Sequence, residues 1–304
     1  MNRAREKKRL IFAKGVAAVE HYIGTAEYYI CPLCMYGFPE AAIDAGQLTM
    51  EHVPPQKLGG RGLLLTCKEC NNTSGYKLDA ALYQREEQRL FAQTVLGHET
   101  EYKGRAKWIV DGETLNVEVY RDGKFLTIAG IPKENNPTVV KRMMEGHSGS
   151  GRLTSRVRYH RRRADVGDLR TAYLAAFALL GYRYAFHPVF NPIREQIAAP
   201  DSKVLDRWSV RLDTEVPVVR GILEAATPYR CLAVQLDRVA VLLPIPGRSD
   251  DLYEQLATAT KGRVDLRGDH LGWPKTFELR EDFCTTSRLP SLTFRVETDG
   301  FGAE

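Results

Sequence analysis

Two Cys-x-x-Cys pairs, "CPLC" at 31–34 and "CKEC" at 67–70, enclose a Glu-His dipeptide and two prolines in "TMEHVPPQKLGG" at 49–60. The x-x spacing lets both sulfurs of a pair face one ion, so Cys31, Cys34, Cys67 and Cys70 read as a tetrahedral zinc set. Four protein ligands leave no open position on such an ion, so its role would be structural. Any reaction must then come from Glu51, His52 and the asparagines that follow Cys70, Asn71 and Asn72. Adjacent residues at a strand end project to different sides and do different jobs. Glu51 is a hard oxygen donor suited to Mg²⁺ or Mn²⁺. His52 is suited to taking a proton from water.

The elements that must hold these residues are legible as periodicity. Residues 3–23 carry apolar side chains at three-to-four spacing and predict an amphipathic helix that Gly24 stops. Residues 76–96, "YKLDAALYQREEQRLFAQTVL", predict a second helix ending at Gly97. Beyond it, "RAKWIV", "TLNVEVY" and "KFLTIAG" are short β-rich runs separated by Asp-Gly turn signals, a meander. A helix is expected at 137–145 and a buried one at 166–181. Two more strands, "RCLAVQL" and "RVAVLLP", a helix at 249–260 and terminal strands follow. A domain boundary is expected near residue 100.

The pattern C-P-x-C, T-x-E-H-V-P-P, L-G-G, L-T-C-x-x-C-N-N and G-x-x-L-D over residues 31–80 resembles the HNH endonucleases. It is closest to the branch in which a four-cysteine knuckle braces the catalytic hairpin and E-H stands for the more usual D-H. The resemblance implies a ββα-metal fold and hydrolysis of a phosphodiester, with His52 as general base. It also implies that a second ligand to the catalytic metal, beside Glu51, comes from the first turn of the following helix: Asn71, or next to it Asn72. Family members usually carry a middle asparagine about five residues before the third cysteine. Gly62 stands at that place here.

Composition sets the remaining bounds. At 304 residues, with 43% hydrophobic and 27% charged residues, the chain is that of an ordinary globular protein. No run of about 18 apolar residues is present, which excludes a membrane-spanning helix. The N-terminus is basic with no apolar segment behind it, so a cytoplasmic location is expected. Residues 101–170 hold 15 Lys/Arg against 9 Asp/Glu. The excess peaks in "RLTSRVRYHRRR", where Arg152, Arg156, Arg158, Arg161, Arg162 and Arg163 suit contact with DNA phosphates. If that segment is a strand, Arg156, Arg158 and His160 share one face. Cys231, Cys284, His98, His147, His187 and His270 lack metal-type spacing and read as structural or surface residues.

The expectation is therefore an α+β protein. An HNH module with its four-cysteine zinc knuckle occupies residues 1–100, and a mixed α+β domain, 101–304, positions the substrate or senses a ligand. The function expected is metal-dependent endonuclease action on DNA, in restriction, phage defence or a mobile element. The alternative is a non-catalytic zinc-dependent nucleic-acid-binding protein.

Overall fold

The computed structural model describes residues 3–98, 102–110, 112–146, 151–212, 220–259, 266–279 and 295–296. In chain order, α1 (Arg3–Ile23) leads into β1 (Tyr29–Ile30), β2 (Tyr36–Phe38), α2 (Ala41–Asp44), β3 (Leu48–Val53), β4 (Arg61–Cys67) and the long α3 (Lys68–Leu96). A meander of β5 (Lys103–Val110), β6 (Glu113–Asp122) and β7 (Phe125–Gly130) follows, then α4 (Pro137–Gly146) and β8 (Arg152–Ser155). Next are α5 (Arg161–Leu180), α6 (Tyr182–Ala185), α7 (Asn191–Ala198), β9 (Ser209–Arg211), β10 (Gly221–Thr227), β11 (Cys231–Leu236) and β12 (Val239–Leu243). The last elements are α8 (Leu252–Thr258), β13 (Arg267–Gly272) and β14 (Arg295–Val296). Helix and strand are both abundant, as expected. Among the described residues the strand pairs are antiparallel except β14 with β2.

The chain forms two compact units, and neither boundary lies at residue 100. One unit combines Met1–Asp79 with Asp165–Glu304; the other is Ala80–Ala164. The cuts fall inside α3 and α5, which are continuous helices, so no linker-like composition marks them in the sequence.

The first unit is built around α5. Its residues Val166, Leu169, Tyr173, Leu174, Phe177 and Leu180 are buried, together with Leu48 and Leu63–Leu65 of the β3–β4 hairpin. Helix α1 buries Ile11, Phe12, Gly15, Ala18 and Val19, the one-sided stripe that its spacing demands. Gly15 is there because a Cβ would sit 2.4 Å from the Tyr29 ring. Tyr29 donates through its hydroxyl to Leu65 O at 2.9 Å, and Tyr182 donates to Ile30 O at 2.7 Å. These buried hydroxyls tie the hairpin and β1 to the core without leaving polar atoms orphaned. A five-stranded sheet in the order β13-β10-β11-β12-β9 completes this unit.

The second unit is a four-stranded sheet in the order β7-β6-β5-β8. Val117, Val119, Leu115, Ala106 and Phe91 are buried on one face of it. Alternation explains the other face: Lys103, Arg105 and Lys107 are exposed along β5. The basic segment 152–163 is a strand only to Ser155; Arg161, Arg162 and Arg163 form the first turn of α5. That helix starts five residues before the sequence expectation of 166. Cys284 and His147 lie outside the described residues.

Candidate active site

The four cysteines arrive from two directions. Cys31 and Cys34 lie on the turn between β1 and β2, where the Cys31 N–H donates to Tyr36 O and the Met35 N–H to Cys31 O, both at 2.9 Å. Met35 takes a left-handed φ of 61° to close that turn. Cys67 ends β4, and Cys70 lies in the first turn of α3. All four sulfurs are within 4.8 Å of one another, and Cys34 Sγ to Cys67 Sγ is 3.8 Å. Zinc–sulfur bonds of about 2.3 Å in a tetrahedron space the sulfurs about 3.8 Å apart, so the cluster can hold a metal ion such as zinc. The N–H groups of Cys67 and Cys70 point at Cys31 Sγ and Cys67 Sγ at 3.4 Å. Burial pushes the Cys31 thiol well above its ordinary value, while hydrogen bonds from the neighbouring thiols, Cys31 first, pull Cys67 down. Sulfurs this close are all thiolates only around a cation.

The cluster also decides where α3 begins. "NNTSG" is a poor helix-forming run, and periodicity alone starts the helix at 76. The structure starts it at Lys68, whose N–H donates to Gln47 O at 2.7 Å. Tertiary fixation of Cys67 and Cys70 overrides the local preference. Asn71 and Asn72 are thereby brought onto the helix that follows the hairpin.

The hairpin pairs Leu48 with Cys67, Thr49 with Thr66, Glu51 with Leu64 and His52 with Gly62, with a register shift between Glu51 and His52. A bulge of this kind re-aims side chains. Glu51 is 3% exposed, and its Oε2 accepts from Thr66 Oγ1 at 2.9 Å and from the Arg170 guanidinium of α5 at 2.8 Å. Arg170, also 3% exposed, reaches Asp79 Oδ1 at 3.4 Å, and its Nε is buried without a hydrogen-bond partner among the described residues. Asn71 is half-buried and donates from Nδ2 to Thr49 Oγ1 at 2.8 Å. Thr49 and Glu51 share a face of β3, so Glu51 and Asn71 are gathered on the same side of the hairpin. Asn72 is exposed. His52 is half-buried, and no described residue hydrogen-bonds its ring.

No family model, no curated protein and no solved structure matches this chain.

In donor type, Glu51 and Asn71 suit a hard divalent cation: Oε1 of Glu51 and Oδ1 of Asn71 are the oxygens not engaged by the contacts above. Thr66 and Arg170 on Oε2 are the kind of outer contacts that orient a ligating carboxylate. In charge, the fit is incomplete. Arg170 already lies on Glu51, the one anionic residue among these donors, and is shared with Asp79.

Arg170 and Thr66 are the site residues that motif spacing misses. The signal for Arg170 is present in "DLRTAYLAAFALL": a lone guanidinium in an apolar helix is almost never buried without a partner. It does not say which partner. Gly62 is explained by packing. A Cβ there would lie 2.6 Å from Met50 Cγ and 3.7 Å from Lys7 Nζ, so the space of a side chain is already filled. The loop after His52 closes tightly as well, since a Cβ on Gly60 would overlap Pro54 O. The arginines at 152, 156, 158 and 161–163 belong to the other compact unit. Among them Arg156 is engaged with Glu134 at 3.0 Å.

Proposed function

We propose that β3, β4 and the start of α3 form an HNH-type nuclease site, braced by a zinc-loaded four-cysteine knuckle, that hydrolyses phosphodiester bonds in DNA. The observation that supports this most is that one hairpin and the helix after it carry all three residues. His52 has no hydrogen-bond partner among the described residues, Asn71 is held by Thr49 of the same hairpin, and the cysteine cluster fixes the end of β4 and the start of α3. A histidine whose ring nitrogen is left to solvent can accept the proton of an attacking water. Glu51, held at Oε2 by Thr66 and Arg170, and Asn71, held by Thr49, are the residues that would bind Mg²⁺ or Mn²⁺. When bound, that cation supplies charge stabilisation on the phosphate and the leaving oxygen. The likeness of residues 31–80 to HNH enzymes supports a role in restriction, phage defence or a mobile element, with the arginines of 152–163 as further DNA contacts.

The buried ion pair of Glu51 with Arg170 favours a second reading, a zinc-dependent nucleic-acid-binding protein without catalysis, because a neutralised carboxylate is a weaker cation ligand. Plasmid cleavage with Mg²⁺ or Mn²⁺ separates the two. The native chain nicks or cuts under the nuclease reading and the His52→Ala variant does not. Equal, metal-independent behaviour of both leaves only binding.

A further inference from the structure

The hairpin that carries His52 is bordered by cations from α1, from its own second strand and from the segment before β10. Lys7 of α1 places its ammonium 3.7 Å from where a Cβ on Gly62 would stand, and Gly62 is the cross-strand partner of His52. Arg220, just before β10, donates from its guanidinium to Leu58 O at 2.5 Å and lies 3.8 Å from a would-be Cβ on Gly59. It therefore grips the loop 54–60 that leaves His52 and Val53. Arg61, paired with Val53 at the mouth of the same hairpin, is exposed. That loop, "PPQKLGG", contains no carboxylate, and the acidic residue nearest to it in sequence, Glu51, is buried against Arg170.

We propose that this rim is the docking surface for a nucleic-acid backbone, with Lys7, Arg61 and Arg220 contacting phosphates on either side of the one presented to His52. The inference rests on reading His52 as the residue that faces a phosphodiester, and it assigns a substrate surface within the first compact unit itself. The chemistry favours a polyanion over a single small anion. The three cations are exposed and come from three elements around one hairpin, which suits several phosphates, each contact releasing counterions.

The test is fluorescence anisotropy of a labelled DNA duplex of about 20 base pairs, without added divalent cation, at roughly 50 to 200 mM KCl. Lys7→Ala with Arg61→Ala changes two exposed side chains and should reduce the slope of log K against log salt by up to about 1.8, at about 0.9 per contact. Arg220→Lys, which keeps the charge near the loop, should leave the slope native, and Arg220→Ala should lower it by up to about 0.9. Zinc content serves as the fold control for each variant. A native slope in the Lys7/Arg61 variant with full zinc content overturns the proposal, and so does a native chain that fails to bind DNA. Binding with the expected slope changes but no cleavage would sink the nuclease reading and leave this surface standing.

Discussion

The Glu51 carboxylate and the Arg170 guanidinium, 119 positions apart in the chain, meet at 2.8 Å with both side chains 3% exposed. A buried pair of this kind is weak evidence for net stability, but breaking it is costly because one charge is left uncompensated. Arg170→Met should destabilise the first unit by about 3–5 kcal/mol. The double variant Glu51→Met with Arg170→Met should recover much of that, since neither charge then remains. Urea denaturation followed by circular dichroism gives the comparison. A double variant no more stable than Arg170→Met would show that the pair matters through packing and not charge.

If Glu51 and Asn71 hold the catalytic cation, the pairing of Glu51 with Arg170 should make cation binding depend on substrate. Mn²⁺ should bind weakly to the free protein and more tightly to a complex of His52→Ala with DNA. By linkage, Mn²⁺ should raise the DNA affinity of that variant by the same factor. Titration calorimetry in both directions measures this, and equal Mn²⁺ affinity with and without DNA would refute it. Glu51→Gln should remove the coupling.

For catalysis itself, His52→Ala should lower the rate by roughly 10² to 10⁴ while DNA affinity persists. Native-rate cleavage by this variant would remove His52 from the chemistry. Asn71→Ala should raise the metal concentration needed for half-maximal rate, and Asn72→Ala, changed at an exposed position, should not.

Purified protein should hold about one zinc ion per chain, since four thiolates complete a tetrahedral shell. Cys67→Ser opens the cluster at the point where β4 ends and α3 begins, so it should cost solubility and helix content together. Elemental analysis of the native and variant chains checks it. A zinc-free chain with native circular dichroism would dismiss the structural role.

Asp79 carries a pH signature. Burial pushes its carboxyl from an ordinary 3.8 up to about 6, against the opposing pull of Arg170 and with the Glu51 charge adding to the rise. The folded state thus holds this proton more tightly than the unfolded chain. Its stabilising contribution is fully present below about 3.8 and is lost as pH rises through about 6. Asp79→Asn should therefore gain thermal stability relative to the native chain between about pH 5 and about pH 7.5. A difference that does not change across that interval would place the Asp79 carboxyl in solvent.

The metal cluster was legible in the sequence because ligand spacing is local chemistry: two cysteines three apart on a turn can reach one ion whatever surrounds them. Helix α1 and the meander β5–β7 were legible for the same kind of reason, their periodicity and Asp-Gly turns being short-range signals. The start of α3 was not, because Cys67 and Cys70 are fixed by Cys31 and Cys34 from outside the helix and carry an unfavourable run with them. Neither was the division of the chain, since α3 and α5 run unbroken through both cuts. Composition can name Glu51, His52 and Arg170 as residues able to carry charge or protons. Only the packing of α5 against the hairpin decides that Glu51 meets a guanidinium, while His52 keeps its ring clear of protein partners among the described residues. A buried charge must find its counter-charge in space, and sequence distance places no constraint on where that is.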